Sequence, residues 1–217
     1  MTTKTSIIIS FVLIAAAIIV GVLLSAQLPD PMPSHWNAAG EVDGYTSKFL
    51  GIWLLPLMTA GILLLLAFLP MLDPLRANIE KFRGLYNAFL LGFTVYMLYV
   101  YGLTLAAALG WQFNMTYMLV PVVGLLFVGI SFLLQNAKRN FFIGIRTPWT
   151  LVSDSVWDKT HQLGAQTFRI AGVLVIISTF FGENGLWLLM VSLLFAALLP
   201  VVYSYFAWRQ EQSETGK

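Results

Sequence analysis

Six apolar runs, each close to the length of a bilayer crossing, follow one another along this chain of 217 residues. A spanning helix needs about 20 mostly apolar residues, and in lipid every backbone polar group must be satisfied inside the segment. The runs therefore predict helices over Ser6–Ala26, Leu50–Leu72, Leu85–Leu109, Met115–Leu134, Gly164–Phe181 and Gly185–Ala207. Composition agrees: the chain is 59% hydrophobic and 10% charged, against about 45–50% and 25% in soluble domains. The expected fold is an all-α membrane protein, a bundle of six transmembrane helices. Two units are read within one compact bundle: residues 1–72 with two spans and 73–217 with four.

The first run follows Lys4 and imitates a signal peptide, and Ser25-Ala26-Gln27 imitates a cleavage site. Its apolar stretch, Ile7–Leu24, exceeds the roughly 7–15 residues of a secretory h-region, so it reads as a span. In the fifth run Arg169 lies one turn inside, where a long side chain can snorkel to the headgroups.

Charge sets the expected orientation. All but Lys48 of the twelve basic residues fall on one side of the six spans. Lys48 keeps company on the other side with Asp30, Glu41, Asp43 and Glu183. Because Lys and Arg are retained on the cytoplasmic face, both termini are expected inside, in the plasma membrane. The net charge of +2 comes without any basic run, so direct nucleic-acid binding is not expected. The absence of cysteine excludes disulfides, thiolate metal sites and cysteine nucleophiles.

Two loops stand out. The external one, Leu28–Lys48, reads LPDPMPSHWNAAGEVDGYTSK. Its three prolines predict an extended, polyproline-like path. Ala39-Gly40 and Asp43-Gly44 are turn signals, and His35-Trp36 puts an amphipathic ring at interface depth. The expectation is a small ordered cap. The cytoplasmic one, Asn140–His161, reads NFFIGIRTPWTLVSDSVWDKTH and is too rich in Phe, Ile and Trp for disorder. Here Phe141–Ile145 is expected along the interface, Thr147-Pro148-Trp149 as a turn, and Ser153 as the N-cap of a helix running into the fifth span. Trp157, His161, Ala165 and Phe168 then share one face. The shorter loop Asp73–Gly84 needs no role beyond topology. In the third span Gly92 and Gly102 read as close-packing positions, with a groove lined by Gly92, Tyr96 and Tyr99 as the alternative. The tail Arg209–Lys217 reads as disordered.

Little chemistry fits. His35 and His161 are expected on opposite faces, so one metal ion cannot bridge them across about 30 Å of hydrocarbon. An Asp158–His161 contact on one helix face is the expected use of His161. No cofactor, metal or catalytic set is read: neither G-x-S-x-G nor H-E-x-x-H occurs, and a serine hydrolase or zinc peptidase would need one. No carboxylate falls at a span centre, where a proton-coupled transporter would need one.

The two loops together resemble the SdpI family, membrane immunity proteins for a sporulation-delaying peptide toxin. Its P-x-H-W-N, G, D-G and K positions are Pro33, His35, Trp36, Asn37, Gly40, Asp43, Gly44 and Lys48. Its G-I-R-T-P-W-T-L run is Gly144 to Leu151, with Trp157, Thr160 and His161 beyond it. The resemblance implies a polytopic bacterial protein without catalysis that protects its cell from a secreted peptide toxin. In the best-known member it also implies holding a cytoplasmic transcriptional repressor at the membrane. On that basis the external positions just named would face the toxin. Asn140, Gly144, Arg146, Thr147, Pro148, Trp149, Trp157 and His161 would meet the partner. Lipid is the remaining expected partner. The competing reading is a small-molecule or lipid transporter gated by the external loop, with a polar mid-membrane cavity lined by Asn87, Tyr96 and Tyr99.

Overall fold

The computed structural model describes residues 1–216; Lys217 and the Glu183 side chain, both counted in the charge asymmetry, lie outside the described residues. Among the described residues six helices are long and apolar enough to cross a membrane: α1 (Thr3–Leu24), α2 (Lys48–Phe68), α4 (Arg83–Ala108), α5 (Met115–Asn136), α7 (Asp154–Ser178) and α8 (Gly185–Thr215). The chain is a multi-pass membrane protein. Two short helices, α3 (Arg76–Glu80) and α6 (Pro148–Val152), sit in the connections. The strands β1 (Met32–Trp36) and β2 (Val42–Thr46) form an antiparallel hairpin between α1 and α2.

Capping side chains set the helix starts. Thr2, Ser47, Asn114 and Ser153 each accept a hydrogen bond from the N–H three residues on, beginning α1, α2, α5 and α7. Such a cap satisfies one of four otherwise orphaned donors. Accordingly α7 begins at its cap, well before its apolar run.

Three expectations change. The proline-rich loop is a β-hairpin rather than a polyproline-like cap; Pro33 pairs with Tyr45, which a two-stranded edge tolerates because the missing N–H can face away from the ladder. Thr147-Pro148-Trp149 opens the helix α6 instead of a turn, because Thr147 and Thr150 cap one another reciprocally and proline fills the first helical position. The tail is helical as far as Thr215, with Gln210 donating to Glu214 one turn on at 3.0 Å.

Helices α1, α2 and α4 pack on one another, α5 packs on α7 and α7 on α8, and the two sets meet along α4 and α5. At the α5–α7 crossing Gly124 faces Gly172, and a Cβ on either would lie 2.6 Å from the other's carbonyl oxygen. This is close backbone approach of the kind small residues permit in lipid. The α4–α5 seam is different. A Cβ on Gly92, Gly102 or Gly129 would meet nothing within 4 Å, so Gly92 and Gly102 are not close-packing positions. Gly92, Tyr96 and Tyr99 line a groove of about 520 Å³ instead.

Candidate functional site

The two loops singled out above cap opposite ends of α5. The hairpin tip rests on its first residues, where Asn114 Nδ2 donates to the Ala39 carbonyl at 2.6 Å and Thr116 Oγ1 to Ala38 at 3.2 Å. The 140s loop leaves its last residues. Twenty-two residues of helix at 1.5 Å each separate the two by about 33 Å. Met1 and Glu211 lie at the 140s end: Asn87 Nδ2 donates to the Met1 carbonyl, and Ser153 Oγ donates to Glu211 Oε1. Both ends of the chain thus lie at one end of the bundle, with Lys138, Arg139 and the loop between α2 and α4.

At the hairpin end, Met32 is buried, pressed on α2 at Gly51, while His35 stands on the exposed side. His35 Nδ1 meets Asp43 Oδ1 across the strands. Gly44 faces His35, and a Cβ there would approach the His35 Cβ to 2.8 Å. Asn37 closes the turn: its backbone N–H donates to Glu41 O at 2.9 Å and its Oδ1 accepts from Glu41 N–H at 3.0 Å. Gly40 takes φ +81°, and a Cβ on it would collide with the Asn114 side chain. Pro33 is buried and Trp36 half-buried. Lys48 is a tether: its Nζ donates to the Ser25 carbonyl at the end of α1, and its N–H donates to Asp30 at 3.1 Å.

At the other end Asn140 is fully buried and makes four hydrogen bonds. It donates to the Lys138 and Ile143 carbonyls and accepts from the Phe142 and Ile143 N–H groups. Asp73, also buried, accepts from Phe141 N–H at 2.8 Å and Leu75 N–H at 2.7 Å. Asn78 Nδ2 donates to the Arg139 carbonyl. The Asp73 loop therefore clamps the 140s loop, a role beyond topology. Phe141 is exposed, but Ile143 is buried in the core. Gly144, at φ +114°, passes directly over His161, whose Nε2 a Cβ would strike. His161 accepts from Ile145 N–H at Nε2 (3.0 Å) while its Nδ1 lies 2.9 Å from the Trp157 carbonyl. A carbonyl only accepts, so Nδ1 carries the proton and the ring is neutral. The ring also stacks on Trp157 at 4.0 Å, and Trp157 Nε1 donates to the Ala137 carbonyl. Asp158 turns to Lys138 at 3.3 Å instead of His161, because the Trp157 carbonyl already takes the ring proton.

Thr147 is buried against Ser204 of α8 at 3.0 Å, and Trp149 meets Tyr205 edge-on at 5.2 Å. Arg146 and Pro148 remain exposed, with Arg146 Nη1 donating to the Phe141 carbonyl. The result is a rigid platform with Arg146 and Pro148 on its surface and His161 sealed beneath. Both histidines have their nearest partners within their own loop system, and among the described residues no three His, Cys, Asp or Glu side chains could hold a metal ion together. Sequence reasoning missed Asp73, Asn78 and Asn114. What each reaches lies 61 to 75 residues away along the chain.

Residues 136–204 match the SdpI/YfhL protein family, and residues 12–60 match DUF1648, a domain of unknown function. The first of these stretches is similar to the SdpI/YfhL family. The whole chain is 25% identical over 205 residues to the immunity protein SdpI of Bacillus subtilis (strain 168), an alignment covering 94% of this chain and 96% of that one. No solved structure matches. In the fold, the DUF1648 match contains the whole hairpin, and the SdpI/YfhL match contains the whole platform with its supports on α7 and, on α8, Ser204.

Proposed function

We propose that this protein is an immunity protein that protects a bacterial cell against a secreted peptide toxin, with the hairpin outside and both termini in the cytoplasm. The observation that carries the reading is the alignment to an immunity protein along nearly the full length of both chains, hairpin and platform included. The basic end bears Lys138, Arg139, Arg146 and the loop between α2 and α4, and positive charge is retained inside. On this reading the exposed His35–Asp43 face is the toxin-facing surface. Arg146, Pro148 and the edge of Trp149 are the surface for a cytoplasmic partner, a transcriptional repressor held at the membrane. The two sequence units, 1–72 and 73–217, are supported by the two family matches, one in each. Because α4 packs on α1 and α2, the units share a seam through α4.

The transporter reading gains no support. Asn87 turns toward α1 and Met1, and the groove beside Tyr96 and Tyr99 is apolar. Expression in a toxin-sensitive strain tests immunity: survival should rise on exposure to the peptide. Unchanged killing with the protein present in the membrane counts against it.

A further inference from the structure

The open seam between α4 and α5 has a polar neighbour. On α7, Arg169 starts three residues before Gly172, which crosses α5 at Gly124. Helical side chains lean toward the N-terminus of their own helix, so Arg169 runs back toward the basic end. There its guanidinium donates through Nε to Ser131 Oγ and through Nη2 to Gln135 Oε1. It has no carboxylate partner among the described residues. It covers the Phe132 ring at 5.1 Å, and Phe132 is itself a wall of the groove. Gln162 and Gln166 join Gln135 and Arg169 around a recess of about 280 Å³. Apolar groove and cationic recess therefore meet at a single aromatic ring.

We propose that these two features form one binding site for an anionic phospholipid of the leaflet at the basic end. An acyl chain lies along the groove, and the phosphate sits on the Arg169 guanidinium among the glutamines. Length decides the occupant. Along α5 the groove runs from Leu133 to Val122, about 17 Å of helix, close to half of a hydrocarbon core of about 30 Å. A partner's spanning helix would need contact over the full thickness; one lipid tail needs a single leaflet. Gly92 and Gly129 leave the floor open. Charge selects among lipids: a guanidinium held by two neutral oxygens, one turn from the end of α5, has donors left for a phosphate. Cytoplasmic leaflets are the anionic ones. The site is independent of any role in toxin immunity.

The test is native mass spectrometry of the full-length protein released from micelles holding equal phosphatidylglycerol and phosphatidylcholine. The wild type should retain phosphatidylglycerol about tenfold over phosphatidylcholine, the factor that one charge-assisted hydrogen bond supplies. Arg169→Gln should bring the ratio close to one, and Arg169→Lys should keep most of it. Gly129→Leu, which fits the groove without moving backbone, should lower both adducts together. Equal retention of the two lipids by the wild type overturns the proposal, and that measurement needs no variant. An unchanged ratio in Arg169→Gln, or full adducts in Gly129→Leu, would also overturn it.

Discussion

Gly144, His161 and Arg146 lie within one loop and its support, yet the chain uses them in opposite ways. Gly144 holds a left-handed φ above the sealed imidazole. A side chain there meets both backbone strain, of order 1–3 kcal/mol, and the ring itself. His161→Phe keeps a ring on Trp157 but strands the half-buried Ile145 N–H; an unsatisfied buried donor costs about 1–3 kcal/mol. Gly144→Ala and His161→Phe should therefore each lower the thermal midpoint of the detergent-purified protein, read by tryptophan fluorescence. Arg146→Ala should leave that midpoint at the wild-type value, since the side chain is exposed and holds one carbonyl. If it also leaves partner binding intact, the surface assigned to that arginine is wrong. The spacing of Trp157 and His161 on one helix face was legible in the sequence. That His161 would take a backbone N–H from Ile145 was not, because the contact depends on the path of a loop. Asp73 was hidden for the same reason: its partner, Phe141, is 68 residues away.

Among elements, the hairpin is the one with the most to lose from a single side chain. Asn114 caps α5 through Oδ1 and holds the hairpin tip through Nδ2, so one amide joins two elements. Asn114→Ala should cost about 1 kcal/mol as a lost cap. It should also speed hydrogen exchange at Gly40 and Glu41 while leaving the amides of Phe142 and Ile143 unchanged. Equal exchange at the tip before and after would mean that strand pairing alone holds the hairpin. The elements that escaped the sequence reading share a cause. Three prolines mask a strand pattern, five residues are too few for α6 to show a helical period, and a polar tail carries no apolar stripe. The long spans were legible because the demand of lipid on the backbone leaves few alternatives. The Ser153 cap of α7 was legible too, whereas Thr2 and Ser47 open α1 and α2 in polar sequence before the expected starts at Ser6 and Leu50.

At the scale of the whole molecule, every assigned role depends on which end meets the cytoplasm. The helices fix only that the hairpin and the 140s platform are apart, at the two ends of α5, and that both chain ends accompany the platform. The proposed direction rests on charge: all but one of the described basic residues belong to the platform end, and Lys48, the exception, spends its charge on the Ser25 carbonyl. The absence of cysteine makes the direction measurable with single thiols on an otherwise thiol-free chain. Tyr45 on the hairpin and Val152 at the end of α6 are 62% and 68% exposed, and neither side chain supports a loop. Tyr45→Cys should react with a membrane-impermeant maleimide in intact cells, and Val152→Cys only after the membrane is opened. Labelling of Val152→Cys alone in intact cells would invert the molecule, putting the platform outside and the exposed His35–Asp43 pair within reach of cytoplasmic partners only. Equal labelling of both would mean that α5 does not cross the membrane, since about 33 Å of helix with one thiol near each end cannot span a bilayer and leave both on one side.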